Sequence, residues 1–292
     1  MANLKDIKNR IGSVKKTKQI TSAMKLVAAA KLKRATDNAV AARPYREQLS
    51  AVLQRVASVA GDDIDEPLLA TRDQVSNVLV VVLTSDRGLC GGFNNALNRK
   101  TVEWLNAKKA ESTVTVKVFG KKGVSGLKRV DGVERLGAVI DYGKEPKADL
   151  ARGLASDMVA GFIDAQYDEV YVVYNRFVNT LSQVPTFDRV LPLSIDDEGA
   201  ADDAAASTAD YRYEPDSTTI LGTLLPLYLQ TLVLQSFLET EAGEHAARMT
   251  AMENATKNAS ELIDRLTLDY NRARQAAITT EIIEITSGAA AL

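Results

Sequence analysis

The sequence predicts a mixed α and β fold in which two long terminal helices lie against each other and an open-sheet α/β domain is inserted between them. Three observations predict it. The first 60 residues carry a helical period with strong helix formers, and the last 70 or so do the same with no proline after Pro226. Between them short apolar runs alternate with helical stretches, which is the pattern of an α/β domain of about 120 residues. Neither terminal helix is self-contained at such a length, so the simplest architecture packs one on the other.

From Asn3 to about Ala60 the pattern is helical. Leu4, Ile7, Ile11 and Val14 recur at spacings of three and four, one apolar stripe of coiled-coil type. Thr17 and Thr21 are expected to interrupt this seam before Met24, Val27 and Ala28 resume it. Alanine dominates from Ala28 to Ala42, giving a slim helix that a neighbour can approach closely. Pro44 is expected to bend or break the helix locally. The whole segment would be about 80 Å long if continuous, longer than a domain of this size is wide, so it must project.

Gly61-Asp-Asp-Ile-Asp-Glu-Pro67 is an acidic boundary loop, and past it the period turns from helical to extended. The continuous apolar run Asn77 to Thr84 reads as a buried strand, followed by a glycine-rich turn and a helix to about Lys109. Next come a strand at Thr113 to Phe119, a short helix near Lys121 to Val130 and a strand around Val133 to Asp141. A helix from Lys147 to Ala165 and strands at Glu169 to Val178 and Val184 to Leu193 complete the domain, set at residues 75–195. Residues 196–216 hold many carboxylates around an alanine-rich middle and are expected to form a mobile acidic loop. Residues 217–292 form the second long helix. Leu232, Val233, Ser236, Phe237 and Thr240 begin its stripe, and Leu262 and Leu266 continue it.

Composition narrows the function classes. With 46% apolar and 25% charged residues the chain is an ordinary globular one, and its start lacks the apolar core of a secretory signal, so a cytosolic protein is expected, docking at most on a membrane complex. One cysteine and one histidine, Cys90 and His245, leave no disulfide and none of the usual Cys/His metal sites. Charge is unevenly spread: residues 1–60 hold 13 Lys or Arg against 3 Asp or Glu, so the net charge of -2 hides a basic N-terminal segment of +10 and a remainder of -12. That segment presents itself to something acidic. Nucleic acid is a poor partner for it, since no aromatic stands among the basic residues before Tyr45 to stack on a base.

The most tempting enzymatic signal is the turn after the first strand, where a glycine loop and a helix N-terminus could hold a phosphate. Gly88, Gly91 and Gly92 do not complete G-x-G-x-x-G, and Gly120-Lys121-Lys122 lacks the earlier glycine of a P-loop, so tight turns and close packing are the better reading. Cys90 has no histidine in the domain to activate it and is expected to pack. His245, with Glu241 and Glu244 nearby, is expected to be a surface or partner contact, and Asp62, Asp63, Asp65 and Glu66 a solvated loop. A coiled-coil spacer remains the plain alternative for the long helices. Against it, Ile278, Ile282, Ile283 and Ile285 surround too much of the last helix for one partner helix to cover.

Several separated motifs then fall in one order. The tail reads Ile278-Thr279-Thr280-Glu281, with Glu284 three residues on and Gly288-Ala289 four after that. The N-terminal segment carries Arg10-Ile-x-Ser-Val, Thr17-x-x-Ile-Thr-x-Ala-Met24 and Lys25-Leu-Val-Ala-Ala. Ser85-Asp-Arg-Gly-Leu-Cys-Gly-Gly-Phe-Asn94 and Tyr213-Glu-Pro-Asp216 lie between. Together they resemble the γ-subunit family of F-type ATP synthases over nearly the whole chain. The resemblance implies a long antiparallel coiled coil of the two terminal helices with an inserted Rossmann-like α/β domain. The chain would be a central-stalk rotor coupling rotation of the membrane c-ring to conformational change in the catalytic subunits, with no catalytic residues, cofactor or metal of its own. A nucleotide-binding α/β protein and a structural coiled-coil adaptor are the alternatives.

By motif position the resemblance implies that Arg274 and Gln275 hydrogen-bond a loop of a catalytic subunit, with Thr279 and Glu281 in the same contact. Met24 and Arg248 would face an acidic region of the catalytic ring, and Tyr211 and Glu214 the c-ring or small subunit. The implied partners are the α and β subunits of the ring, an ε-type subunit and the c-ring, at the cytoplasmic face of the inner membrane. The acidic insert from Glu198 to Ala209 is outside the family's core pattern, and the cysteine-bearing insert of light-regulated relatives is absent.

Overall fold

The computed structural model describes residues 4–60, 66–194, 214 and 216–290. Along them run α1 (Leu4–Ala60), β1 (Asn77–Leu83), α2 (Phe93–Lys108), β2 (Thr113–Phe119), α3 (Lys121–Leu127), β3 (Glu134–Val139), a 3-10 turn at Tyr142–Lys144, α4 (Lys147–Ile163), β4 (Glu169–Phe177), β5 (Gln183–Leu191) and α5 (Ser217–Ala290). The chain forms two compact units, Met1–Ala29 with Arg248–Leu292, and Ala30–Ala247. Both long helices contribute to each. Most of the first acidic loop, and the second one from Glu198 to Ala209, lie outside the described residues.

The larger unit is organised by its sheet, in the order β3-β2-β1-β4-β5. β1 pairs parallel with β2 and with β4, β2 parallel with β3, and β5 returns antiparallel to β4. β1 is buried along nearly its whole length because it is central and covered on both faces. Alternation decides which side chain meets which layer. Val78, Val80 and Val82 join Leu97 and Leu105 of α2 and Leu127 of α3 in one core. Leu79, Val81 and Leu83 face the other way, into a core shared with Leu154, Met158 and Phe162 of α4, Leu49, Leu53 and Val56 of α1, and Leu221, Leu225 and Leu229 of α5. The ends of both long helices nearest the sheet are therefore core elements.

The amino edge of the sheet is tied by one carboxylate. Asp168 accepts hydrogen bonds from the Ser76 and Asn77 amides at 2.8 and 2.7 Å and pairs with Arg72, which also donates to the Phe162 carbonyl and stacks on the Phe162 ring. Burial pushes the Asp168 carboxyl up, but Arg72 and the two amides outweigh it and hold it below the usual carboxylate range.

Pro44 does not break α1, which continues through it to Ala60. The proline sits on the exposed side of the helix, where water can satisfy the carbonyl it frees, and Leu49, Leu53 and Val56 anchor the turns beyond it in the core.

In the smaller unit, shielded positions of α1 recur at alternating spacings of three and four through Leu4, Ile7, Ile11, Val14, Lys18, Thr21, Lys25 and Ala28. On α5 the same alternation runs through Met252, Thr256, Ala259, Ile263, Leu266, Tyr270, Ala273 and Ala277. A mean spacing of 3.5 is the signature of a left-handed coiled coil. Thr21 is thus a seam residue rather than an interruption. Val27, 57% exposed, and Leu262, 36% exposed, lie off the seam because three-and-four alternation, not hydrophobicity, decides which side meets the partner.

Candidate functional site

The shaft is held by apolar contacts and, among the described residues, by polar links across the helix pair. Thr256 Oγ1 lies 2.8 Å from Thr21 Oγ1, and Lys25 Nζ lies 2.6 Å from a Glu253 oxygen. Each threonine hydroxyl has one proton, and the Lys18 and Met252 carbonyls are also in reach. With either hydroxyl as donor, one hydrogen bond crosses the interface. The pairing fixes an antiparallel register, and counting outward from it sets Leu4 of α1 against Ala273 of α5. Leu4 is the first described residue of α1. From Ile278 to Ser287 every residue of α5 is exposed, including Ile278 (48%), Ile282 (55%), Ile283 (57%) and Ile285 (72%).

The residues singled out from the sequence occupy two stations rather than one. Arg274 and Gln275 are exposed where the seam runs out, with Thr279 and Glu281 exposed on the following turns. The Thr279 hydroxyl is turned back to the Gln275 carbonyl at 2.9 Å, so its donor is engaged within the helix and leaves the lone pairs outward. Arg248 lies about 40 Å along α5 from Arg274 at the α-helical rise. It is 9% exposed, covered by this chain itself. Met24 is half-buried beside the Thr21 and Lys25 links. The lysines and arginines Lys5, Lys8, Arg10, Lys15, Lys16, Lys31, Lys33 and Arg34 are all exposed, giving α1 a basic outer face.

At the other end of α5, Glu214 is exposed and Tyr211 lies outside the described residues. Asp216 caps the helix: it accepts from the Thr219 amide and hydroxyl, both at 2.8 Å, and those bonds hold its carboxyl below the usual range.

The glycine turn is closed in on itself. Asn94 donates to Ser85 Oγ at 2.7 Å and to Cys90 Sγ at 3.1 Å, and accepts from the Ser85 amide. Cys90 is 2% exposed, as a packing residue would be. Gly120 has φ +95°, and a Cβ there would lie 2.3 Å from the Thr84 carbonyl, so this glycine serves close packing of α3 on β1. Tyr142 donates to the Thr84 carbonyl at 2.6 Å; burial, with Glu244, Asp86 and Glu241 nearby, pushes its phenol far above the ordinary value. Among the described residues no group of His, Cys, Asp and Glu is arranged to hold a metal ion.

His245 corrects an expectation. It is 8% exposed, with Nε2 3.9 Å from a Glu241 oxygen, because this part of α5 is buried on more than one side and a surface position does not exist there. The polar seam at Thr21 and Thr256 was missed, since threonine in an apolar stripe looks like a gap. The faint signal was that Thr21 keeps the three-and-four spacing with Val14 and Ala28.

Comparison with known proteins gives a consistent answer. The family model described as ATP synthase matches residues 3–292. The "ATP synthase gamma chain" of Geobacter sp. (strain M21) is 46% identical over 99% of this chain and 98% of its own. That of Paracoccus denitrificans (strain Pd 1222) is 47% identical with both chains covered in full. Among solved structures, the central stalk and c-ring of the Tetrahymena thermophila mitochondrial ATP synthase matches with TM-score 0.61 at 27% identity, over 81% of this chain and 99% of that one. A chain of the Euglena gracilis mitochondrial ATP synthase OSCP/F1/c-ring structure matches in fold, with TM-score 0.65 at 22% identity over 99% and 94%.

Proposed function

The chain belongs to the ATP synthase gamma chain family, and we propose that within that complex it is the central-stalk rotor, acting mechanically and without a catalytic site. The observation that carries this reading is the tail of α5, where the seam with α1 ends and ten successive exposed residues include four isoleucines. An exposed apolar tip of that kind marks an interaction surface, here one that a sleeve would enclose. A ring of alternating α and β subunits supplies the sleeve. The basic face of α1, with the half-buried Met24 beside it, meets acidic surfaces of the catalytic subunits, and Arg274 and Gln275 engage one of their loops, flanked by Thr279 and Glu281.

Catalysis belongs to the ring's nucleotide sites. Each catalytic subunit holds a different conformation against a different side of the shaft, so turning the shaft changes which site is empty, loose or tight. Coupling is the differential contact free energy among those states, and proton flow through the c-ring supplies the torque. Tyr211 and Glu214 contact the c-ring or the ε-type subunit, which places the chain at the cytoplasmic face of the inner membrane, peripheral and held there through the complex.

The test is reconstitution. The isolated chain should show no ATPase activity. Added to a catalytic ring in inverted vesicles stripped of their rotor, it should restore ATP-driven proton pumping. Absence of the chain from the purified ring, or ring-coupled pumping without it, would sink the reading. The nucleotide-binding alternative loses its footing at the glycine turn, whose polar groups are bonded to one another.

A further inference from the structure

In an open α/β sheet a ligand binds outside the carboxyl ends of the strands, where the strand order reverses. Here the order reverses between β1 and β4. That crevice is bordered by Thr84 and Ser85 after β1, by Phe93 at the start of α2, and by Phe177 at the end of β4.

The segment Gln235–Glu244 of α5 fills it. Glu239 Oε2 accepts the Phe177 amide at 3.2 Å, and Glu239 Oε1 accepts from Gln235 Nε2 at 2.8 Å. Phe237, 1% exposed, meets Phe119 at the end of β2 edge to face at 5.2 Å and Tyr142 at 5.8 Å. Gly243 lies so close that a Cβ there would sit 2.9 Å from Phe93 Cε2 and 3.3 Å from Gln183 Cγ. The end of β4 thus offers its amide to a carboxylate, as it would to an anionic ligand, and the carboxylate comes from the chain's own helix.

We propose that α5 is docked in the sheet's ligand crevice as an intramolecular ligand, with Glu239 and Gly243 as positioning residues through which torque passes between the shaft helix and the sheet. The inference rests on the rotor reading for its torque arm and on the geometry alone for occupancy. It accounts for a Rossmann-like sheet in a chain whose work is mechanical: the site that would take a nucleotide is the clamp on the helix. Gly243 permits the close approach, and Glu239 fixes the axial position of the helix because its bond to Phe177 is made at one level only.

Hydrogen exchange at the Phe177 amide in the full-length chain tests occupancy, and protons pumped per ATP in the complex test torque. Glu239→Ala should speed that exchange about tenfold, the size of one lost bond to a charged acceptor, while Glu239→Gln, which keeps an acceptor oxygen, stays near the native rate. In the complex Glu239→Ala should lower protons pumped per ATP about twofold with ATP hydrolysis by the ring retained, and Glu239→Gln should restore the ratio. Gly243→Ala should act like Glu239→Ala, and adding Phe93→Leu, which draws the ring edge back, should relieve it. Should Gly243→Ala fail to fold, the Glu239 series decides alone. Unchanged exchange in Glu239→Ala overturns occupancy, as does calorimetric binding of ATP or NAD to the native chain. Faster exchange with an unchanged pumping ratio overturns the torque role. Failure of the chain to assemble with a ring overturns the rotor reading instead and leaves the exchange result standing.

Discussion

The two halves of α5 share a backbone and differ in everything that surrounds it. From Leu224 to Ala246 no residue of the helix is exposed: Leu225, Leu229, Val233, Phe237, Ala242 and Ala246 are all buried, and so are Thr231, Gln235 and Thr240. From Met252 to Ala277 the seam and a few positions beside it are shielded, and from Ile278 to Ser287 nothing is. A helix wrapped on more than one side draws its stability from tertiary packing. One with a single stripe draws it from a neighbour helix, and one with neither must wait for a partner. One continuous helix here serves as core element, coiled-coil strand and exposed tip, and each part answers differently to substitution.

The largest effect belongs to the wrapped half. Phe237→Ala should cost about 3–5 kcal/mol, a cavity beside the Phe119 and Tyr142 rings, seen as a lower denaturant midpoint of the isolated chain. A loss under about 1 kcal/mol would mean that the wrapped half is not core. Next is the clamp at the amino edge of the same unit. Asp168→Asn should cost about 2–3 kcal/mol at neutral pH by leaving Arg72 without its charge partner. Its pH signature has a definite sign. The native carboxyl is held below its unfolded value, so its contribution is present above about pH 4 and is lost as pH falls through the folded value. Unfolding measured against pH should accordingly show a steeper acid loss for the native chain than for the variant.

Effects shrink in the shaft. Thr21→Val should cost about 0.5 kcal/mol by removing the hydrogen bond across the helix pair while the Thr256 hydroxyl keeps the Met252 carbonyl, and the double valine variant should recover most of it; a thermodynamic cycle in which the two costs simply add would remove the link. Met24→Lys should leave stability nearly unchanged. On the proposed contact with an acidic surface of the ring, the new charge forms an ion pair of about 0.5 kcal/mol that resists rotation, and it should lower protons pumped per ATP at a normal rate of ATP hydrolysis. Smallest of all for the isolated chain is Ile283→Ser, expected within about 0.5 kcal/mol because nothing in the chain covers it. Its cost should appear only in weaker binding to the ring, and a large loss of stability without the ring would show that the tip packs on the chain itself.

Much of this architecture was legible in the sequence because strands and helices there differ sharply in period. The run Asn77 to Leu83 is apolar at every position but the first, which only a strand covered on both faces tolerates, and the structure buries it so. What stayed hidden was partnership. Lys18, Thr21 and Lys25 occupy seam positions with polar side chains, so the stripe looked broken where it was linked. Pro44 was weighed by its local chemistry, whereas its place on the exposed side decided the outcome. His245 looked exposed because its neighbours in sequence are charged, and no local pattern reveals that a helix is wrapped from several directions. The exposed tip was legible for the opposite reason: four isoleucines within eight residues of one helix exceed what one partner can cover.

The three-and-four alternation of the shaft has a mechanical consequence. A repeat of 3.5 residues lags the 3.6-residue turn by about 20° per heptad, and the helix pair takes up the difference as left-handed supercoil. A rope with a hand does not resist twisting equally in both senses. Torque of one sense overwinds the seam between Leu4 and Ala28, and torque of the other sense unwinds it. The shaft is therefore a spring with two stiffnesses, its hand written in the spacing of its side chains.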